Sequence, residues 1–366
     1  MRGTATACMV AVPLLILFAC GSQAPSIPVS TGTPKPDAWR SATVSGEGSF
    51  AIQSNGSLWS FGIHPNQGAP RLIGGSYRWA RVAAGAYANA AIRSDGTLWT
   101  WGINNHHELG LGDTAPRSTP TQVGHDCDWA SVACGNQHVL APGYSLAIKR
   151  DGTLWGWGVN DAGQLGLGDT GERRSPARVG VGSDWSSVSC GWGQTMAIKR
   201  DGTLWGWGDG LMGQLGLSER GPDTPTQVGS GSNWAQVSCG DGFSLALKKD
   251  RSLWAAGAND SGVLGIPGTS GALHFVRVGT DSDWAAVSTG SESVLALKRD
   301  GSLWSWGSNG NGELGLGDKT DRYAPAQQRS GRNWVQVSCD GYSAGIRRDG
   351  SLWTWAAGTT VPTRVR

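Results

Sequence analysis

Charge is scarce in this 366-residue chain: Asp, Glu, Lys and Arg make up 16% of it, and the formal net charge is only +2. A nucleic-acid binder normally carries a clustered basic excess, so no nucleic-acid partner is expected. A helical period is missing from the whole chain, which points to an all-β protein. The apolar run from Met9 to Ala19 is too short to span a bilayer as a helix. No nucleophile elbow, phosphate loop or pair of catalytic carboxylates stands out, so no enzyme is expected. His106, His107 and Glu108 are adjacent, but neighbouring histidines on a loop rarely chelate one ion. No Cys or Asp cluster completes a shell around them, so no metal or cofactor is expected.

What is abundant is Gly, with 58 residues, and Trp, with 20. Gly at that level without a collagen triplet implies many tight turns. One short phrase accounts for much of both. It reads Asn55-Gly-Ser-Leu-Trp59 and then recurs at Asp95–Trp99, Asp151–Trp155, Asp201–Trp205, Asp250–Trp254, Asp300–Trp304 and Asp349–Trp353. The starts lie 40, 56, 50, 49, 50 and 49 residues apart, the mark of a repeat array. A second set of tryptophans, Trp39, Trp79, Trp129, Trp185, Trp234, Trp284 and Trp334, opens each unit.

The unit that starts at Trp185 predicts four strands. Trp185 to Cys190 is the first and Thr195 to Lys199 the second. Asp201-Gly202 between alternating apolar residues signals a hairpin. Leu204 to Gly208 is the third strand, and a Gly-rich loop leads to a short fourth at Pro225 to Val228. Four strands per unit and seven units predict a seven-bladed β-propeller of four-stranded antiparallel blades over residues 39–366. A closed ring leaves no long free sheet edge. The phase of blade against repeat unit stays open. The pairs Trp99/Trp101, Trp155/Trp157, Trp205/Trp207, Trp304/Trp306 and Trp353/Trp355 are two apart on a strand and face one side, with Leu154 and its equivalents on the other. Together with Trp59 and Trp254 they are read as the structural packing between blades.

The Gly-rich phrase Asn160-Asp-Ala-Gly-Gln-Leu-Gly-Leu-Gly-Asp169, with its copies at Glu108–Asp113, Gln214–Leu217 and Glu313–Asp318, resembles the regulator of chromosome condensation repeat. So does the phrase Leu-Ala-Ile-Lys-x-Asp-Gly-x-Leu-Trp-x-Trp-Gly. The resemblance implies a propeller that binds another protein through one face of its disc. Family members include an exchange factor for a small GTPase, a plant photoreceptor and a secreted bacterial inhibitor of β-lactamases. Fold alone does not decide between these. The expected function is a non-catalytic protein-binding scaffold, with enzyme inhibition and guanine-nucleotide exchange as alternatives; export makes the exchange activity implausible. The usual His after the Gly turn is matched only by His138; Gln194, Phe243 and Ser293 stand at that place in other units.

Strand parity gives the disc two unlike faces. The hairpins Lys149-Arg150-Asp151, Lys199-Arg200-Asp201, Lys248-Lys249-Asp250, Lys298-Arg299-Asp300 and Arg347-Arg348-Asp349 leave from one, as solvated basic tips. The other carries the breaks in the repeat: a long first turn in unit three, and His106-His107-Glu108 in the third loop of unit two. Divergent loops on a rigid scaffold are where binding sits, so His106, His107, Glu108, Gln137, His138, Leu140, Tyr144 and the turn residue Trp192 are the candidate protein contacts. The partner is unknown, and the protein is expected to be a monomer.

The first twenty residues resemble a bacterial lipoprotein signal, ending Leu17-Phe18-Ala19-Cys20. Cys20 is the expected lipidation site. Residues 21–38, rich in Ser, Thr, Pro and Gly, read as a tether that reaches up to about 50 Å. The expected location is the cell envelope of a Gram-negative bacterium, lipid-anchored at the outer membrane, or else secreted. Cys134, Cys190, Cys239 and Cys339 share one position, held by Ala84 and Thr289 in two units, and read as small buried thiols. Whether Cys127 pairs stays open.

Overall fold

The computed structural model describes residues 37–365 apart from 46–47, 63–68, 136–142, 218–220 and 357. Cys20 and most of the tether therefore lie outside the described residues, as do Gln137, His138 and Leu140. The described chain contains no helix. It forms seven four-stranded antiparallel sheets, at 39–73, 79–122, 129–178, 185–227, 234–277, 284–327 and 334–364, here called blades 1 to 7. Each sheet takes its four strands in chain order, so blade and repeat unit coincide. The fourth blade runs Trp185–Cys190, Gln194–Lys199, Leu204–Gly208 and Thr226–Gln227, close to the sequence reading.

Period-two alternation explains how blades stack. Leu146, Ile148, Leu154 and Leu165 of blade 3 form one buried cluster with Trp185, Val188, Ala197 and Trp207 of blade 4. The same division recurs at the other seams: aliphatic residues come from one blade, and a tryptophan-bearing face from the next.

The sequence reading treats both tryptophans of a pair alike, and the structure separates them. The second members, Trp101, Trp157, Trp207, Trp306 and Trp355, are buried in the seams. The first members, Trp99, Trp155, Trp205, Trp304 and Trp353, are only half-buried, as are Trp59 and Trp254. The reason is position along the strand: the first member lies two residues nearer the hairpin tip, where the seam meets solvent. Its ring meets the blade's opening Trp edge-on, as Trp353 meets Trp334 at 6.2 Å.

Most second members also donate the indole N–H into the neighbour's Gly-rich loop. Trp157 Nε1 lies 2.9 Å from the Glu108 carbonyl, Trp207 Nε1 2.9 Å from that of Gln164, Trp306 Nε1 2.8 Å from that of Val263 and Trp355 Nε1 2.7 Å from that of Glu313. Burying an indole with its N–H satisfied keeps the packing gain without a desolvation cost. Trp101 packs edge-on against Phe50 of blade 1, with ring centroids 5.3 Å apart.

Blade 5 departs from this scheme, because Ala256 stands where the second Trp should be. Phe275, from the fourth strand of the same blade, fills the space. Its ring lies 5.3 Å from that of Trp234, and a Cβ on Gly216 would sit 2.7 Å from it. Trp157, Trp207, Trp306 and Trp355 cover Gly110, Gly166, Gly265 and Gly315 in the same way.

Every residue of the repeated phrase has a job. Asp201 Oδ1 accepts bonds from the Thr203 N–H and hydroxyl, and the Trp205 indole donates to the Thr203 hydroxyl. The same chain of three recurs from Asn55–Ser57–Trp59 to Asp349–Ser351–Trp353. Gly202 has φ +86°, and a Cβ there would run into the Ser232 carbonyl. The next blade's opening Trp234 donates its N–H to the Gly202 carbonyl. Leu204 is fully buried. Arg251 takes the Gly place in blade 5 with φ +67°, a left-handed conformation unfavourable for a residue with a Cβ.

The ring closes without exchanging a strand. Trp39 N–H donates to the Gly350 carbonyl at 2.9 Å, as Trp79, Trp129, Trp185, Trp234 and Trp334 do toward the blade before them. Ala42 N–H donates to Gln336 Oε1 and Val44 N–H to Ser338 Oγ. The apolar part of this seam has Phe61 where most other blades have the second Trp, and Trp39 is only partly buried.

Candidate protein-binding face

First strands line the axis of the disc, since each touches the first strands on either side. Serines staple them: Cys239 N–H donates to Ser189 Oγ, Thr289 N–H to Ser238 Oγ and Cys339 N–H to Ser288 Oγ. Beyond the staples the axis opens into a mouth of about 40 Å³. It is lined by Ala84, Cys134, Cys190, Cys239, Thr289 and Cys339, the shared small position of the repeat, and by the turns that follow. The four thiols are buried and no disulfide joins the described cysteines; Cys127 is exposed. Burial pushes the Cys134 thiol up to about 12, so it stays a neutral thiol with no nucleophilic character. Among the described residues no three His, Cys, Asp or Glu side chains converge to hold a metal.

First turns and third loops share this end of the disc. The third loops open on backbone bonds to the first turns of their own blades: Ile103 N–H to the Tyr87 carbonyl, Val159 to Gly143, Asp209 to Gly193, Ala258 to Gly242 and Ser308 to Glu292. Most of these loops are committed to their own folding. Asn160 Nδ2 donates to the Asp169 carbonyl and Asn160 Oδ1 accepts from Leu165 N–H. Arg117 and Arg173 pair with Asp113 and Asp169 at 2.7 and 2.5 Å and hold those carboxylates below their usual range.

The sequence-predicted contacts separate here. His106 is exposed, but His107 and Glu108 are buried at 6% and 2% exposure. His107 stands where Gly163 stands in blade 3, and like it has positive φ, +63°. Its ring nitrogens face the Asp113 carbonyl at 3.0 Å and Glu172 at 3.4 Å. Glu108 accepts the His106 N–H and its carbonyl receives the Trp157 indole. The triplet is thus mostly an inter-blade support. Tyr144 is also no surface contact: it is 1% exposed, and its hydroxyl donates to the Gln194 carbonyl of blade 4 at 2.6 Å. It pairs with Gly158 as Gln194 pairs with Gly208. Tyr144, therefore, holds the place that counting residues gives to His138, because the longer turn delays the second strand. Trp192 does lie at the axial mouth.

On the opposite end, the basic tips are only half free. Lys149, Lys199, Lys248 and Lys298 lie over the tryptophans, within 3.6–5.0 Å of ring centroids. Lys149 and Lys298 each also pair with two Asp residues of the link. Arg150, Arg200, Lys249, Arg299 and Arg348 remain exposed.

Two features of the mouth end escaped the sequence reading. Leu211 and Met212 are 64% and 58% exposed in the third loop of blade 4. Aligning the third loops would have found them: the same two places hold Asn105-His106, Asp161-Ala162, Asp260-Ser261 and Gly310-Asn311. Asp209, Glu292 and Asp340 act electrostatically on Asp241 at the same end. Burial, then repulsion from Glu292, Asp340 and Asp209, raises the Asp241 carboxyl to about 7.

Fold and site together define a closed, seven-bladed propeller with a committed scaffold and an exposed apolar pair, Leu211 and Met212, at one end. The regulator of chromosome condensation (RCC1) repeat matches residues 95–141, 151–198, 201–247 and 300–344, and a second description of the same repeat matches 79–108, 129–164, 185–214, 234–263 and 284–313. The chain belongs to the RCC1 repeat family. It is 38% identical over 96 residues to the Ultraviolet-B receptor UVR8 of Arabidopsis thaliana, covering 25% of this chain and 20% of the receptor. It is 40% identical over 79 residues to the Probable E3 ubiquitin-protein ligase HERC3 of Homo sapiens, covering 21% of this chain and 7% of HERC3. The matched stretches thus span a fifth or less of those relatives. Prp20p of Saccharomyces cerevisiae has the same fold at TM-score 0.72 and 20% identity, with 85% of this chain and 84% of that one covered. Human WBSCR16 matches at TM-score 0.72 and 20% identity, over 89% and 94%.

Proposed function

We propose that this protein is a non-catalytic scaffold that binds another protein through the mouth end of its disc, and that a lipid on Cys20 holds it at the cell envelope. The observation that carries the first part is the exposed Leu211–Met212 pair, on a loop bonded to the turn that carries Trp192 and among loops otherwise committed to their own folding. Large apolar side chains held in water by a rigid frame mark contact surfaces. Family members support the reading: Prp20p was described with its binding to Gsp1p and histones, and the yeast RCC1 protein was solved with Kap60 on it. Inhibition of an enzyme is one form such binding takes. Nucleotide exchange is not favoured, because the signal-like start of the chain argues for export.

A photocrosslinking residue at Met212, compared with one at Lys249 on the other end, tests the scaffold reading in intact cells. A protein adduct at Met212 supports it; an adduct at Lys249 alone keeps the scaffold reading but refutes the mouth end, and no adduct from both refutes the whole reading. Loss of lipid incorporation in Cys20→Ser tests the anchor.

A further inference from the structure

We propose that the surface formed by Leu211, Met212 and Trp192 docks a protein segment that is both apolar and basic, with a Lys or Arg side chain directed at the axial mouth. The inference rests on the scaffold reading and specifies the partner's chemistry.

The apolar half is presented rigidly. Leu211 N–H donates to Asp209 Oδ1 and Met212 N–H to Gln214 Oε1, so the loop is fixed before anything binds, which lowers the ordering cost of association. Asp209 N–H ties the loop to Gly193, next to Trp192. On its other side Met212 reaches blade 5, where a Cβ on Gly242 would sit 3.5 Å from its sulfur. The flexible thioether suits an adaptable contact.

Charge selects the occupant. The first turns of blades 4 to 7, residues 191–193, 240–242, 290–292 and 340–342, contain Asp241, Glu292 and Asp340 and no Lys or Arg. Asp241 and Asp340 line the mouth together with Trp192, and Asp340 accepts the Ser291 hydroxyl at 2.9 Å. Asp241, partly buried and repelled by Glu292, Asp340 and Asp209, is relieved by an incoming cation, and an anionic lipid surface or acidic peptide is repelled. An aromatic ring among carboxylates also favours a guanidinium or ammonium head. The mouth, at about 40 Å³, is far below the size of a small-molecule site, but it takes the tip of one long side chain.

The test uses labelled helical peptides of Lys and Leu, of Lys and Ser, and of Glu and Leu, followed by fluorescence anisotropy against the full chain. The Lys–Leu peptide should bind roughly tenfold or more tightly than either control. Leu211→Ser with Met212→Ser, and separately Asp241→Asn with Asp340→Asn, should each weaken it about tenfold, while Lys249→Glu leaves it unchanged. Both apolar positions are exposed, so the disc stays folded, which thermal unfolding verifies; Met212→Lys is the second variant and should cause the same loss. Equal binding of the Glu–Leu peptide, or full binding by folded variants, overturns the proposal. Crosslinks at Lys249 but not at Met212 would also sink it while leaving the scaffold reading intact.

Discussion

Blade 5 offers a direct experiment on how the ring is packed. If Phe275 stands in for a missing tryptophan at Ala256, the two positions must be coupled. Phe275→Ala empties a half-buried site over Gly216 and should cost about 2 kcal/mol, below the roughly 3–5 of a fully buried ring. Ala256→Trp forces an indole into space Phe275 already fills and should cost about 1–3 kcal/mol. The double variant should recover most of both losses. The new indole would cover Gly216 as Trp207 covers Gly166, with its N–H toward the Gln214 carbonyl, the counterpart of the carbonyls that Trp157 and Trp306 reach. The expected interaction energy is about 2–3 kcal/mol in favour of the pair. Urea unfolding followed by far-UV circular dichroism, on wild type, both singles and the double, measures it. Additive losses in the double variant would refute the substitution of one ring for the other.

Other consequences are simpler to check. Arg251→Gly relieves a left-handed residue, worth roughly 1–2 kcal/mol, against about 0.5–1 of added unfolded-chain freedom; urea midpoints should show a small net gain, and a loss would contradict it. Asp241 keeps its proton to about pH 7 when folded against 3.8 when unfolded, so stability falls as pH rises through that window. Asp241→Asn should therefore stabilise by about 1–2 kcal/mol near pH 8, discounted for partial exposure, and have no effect near pH 3.5; a gain independent of pH would count against the raised carboxyl. Thr203→Val should cost about 1 kcal/mol by stranding the Trp205 indole, and a neutral thermal shift would show that water replaces the hydroxyl. Hydrogen exchange should reach Val44 and Ile346, at the closing seam, before Leu245 and Val294, and the reverse order would show that seam is not the weakest.

Blade count, strand positions and the stacking face of the tryptophans were legible because each rests on a local pattern repeated seven times. Trp185 to Cys190 begins and ends where the alternation says. Depth within the seam was not legible: Trp353 and Trp355 share a face, and only the neighbouring blade shows that Trp355 is the buried one. The contact residues were harder to read, because a break in a repeat does not say which way the new side chain points. His107 and Glu108 look irregular in sequence, yet they face inward and support Trp157. Tyr144 reads as part of a long surface turn, and only its pairing with Gly158 reveals an inter-blade wedge. Leu211 and Met212 were hidden by the opposite error: apolar residues in an apolar-rich repeat draw no notice until their places in the other loops are compared. The acidic mouth needs four blades brought around one axis, which no single stretch of chain displays.

Each blade here is one unbroken stretch of chain, and the ring is closed by backbone bonds of the kind found at other seams. Val365 N–H bonds to the Leu352 carbonyl as Val179 N–H bonds to that of Leu154, so residue 365 sits where a six-residue link such as 179–184 begins. A link of that length could therefore join it to Trp39, and the chain could be reopened between any other two blades. Such a circular permutant would keep every sheet intact and move only the point of entry. The order of blades along the gene is, in this architecture, a free variable: any blade can be made the first without cutting a sheet.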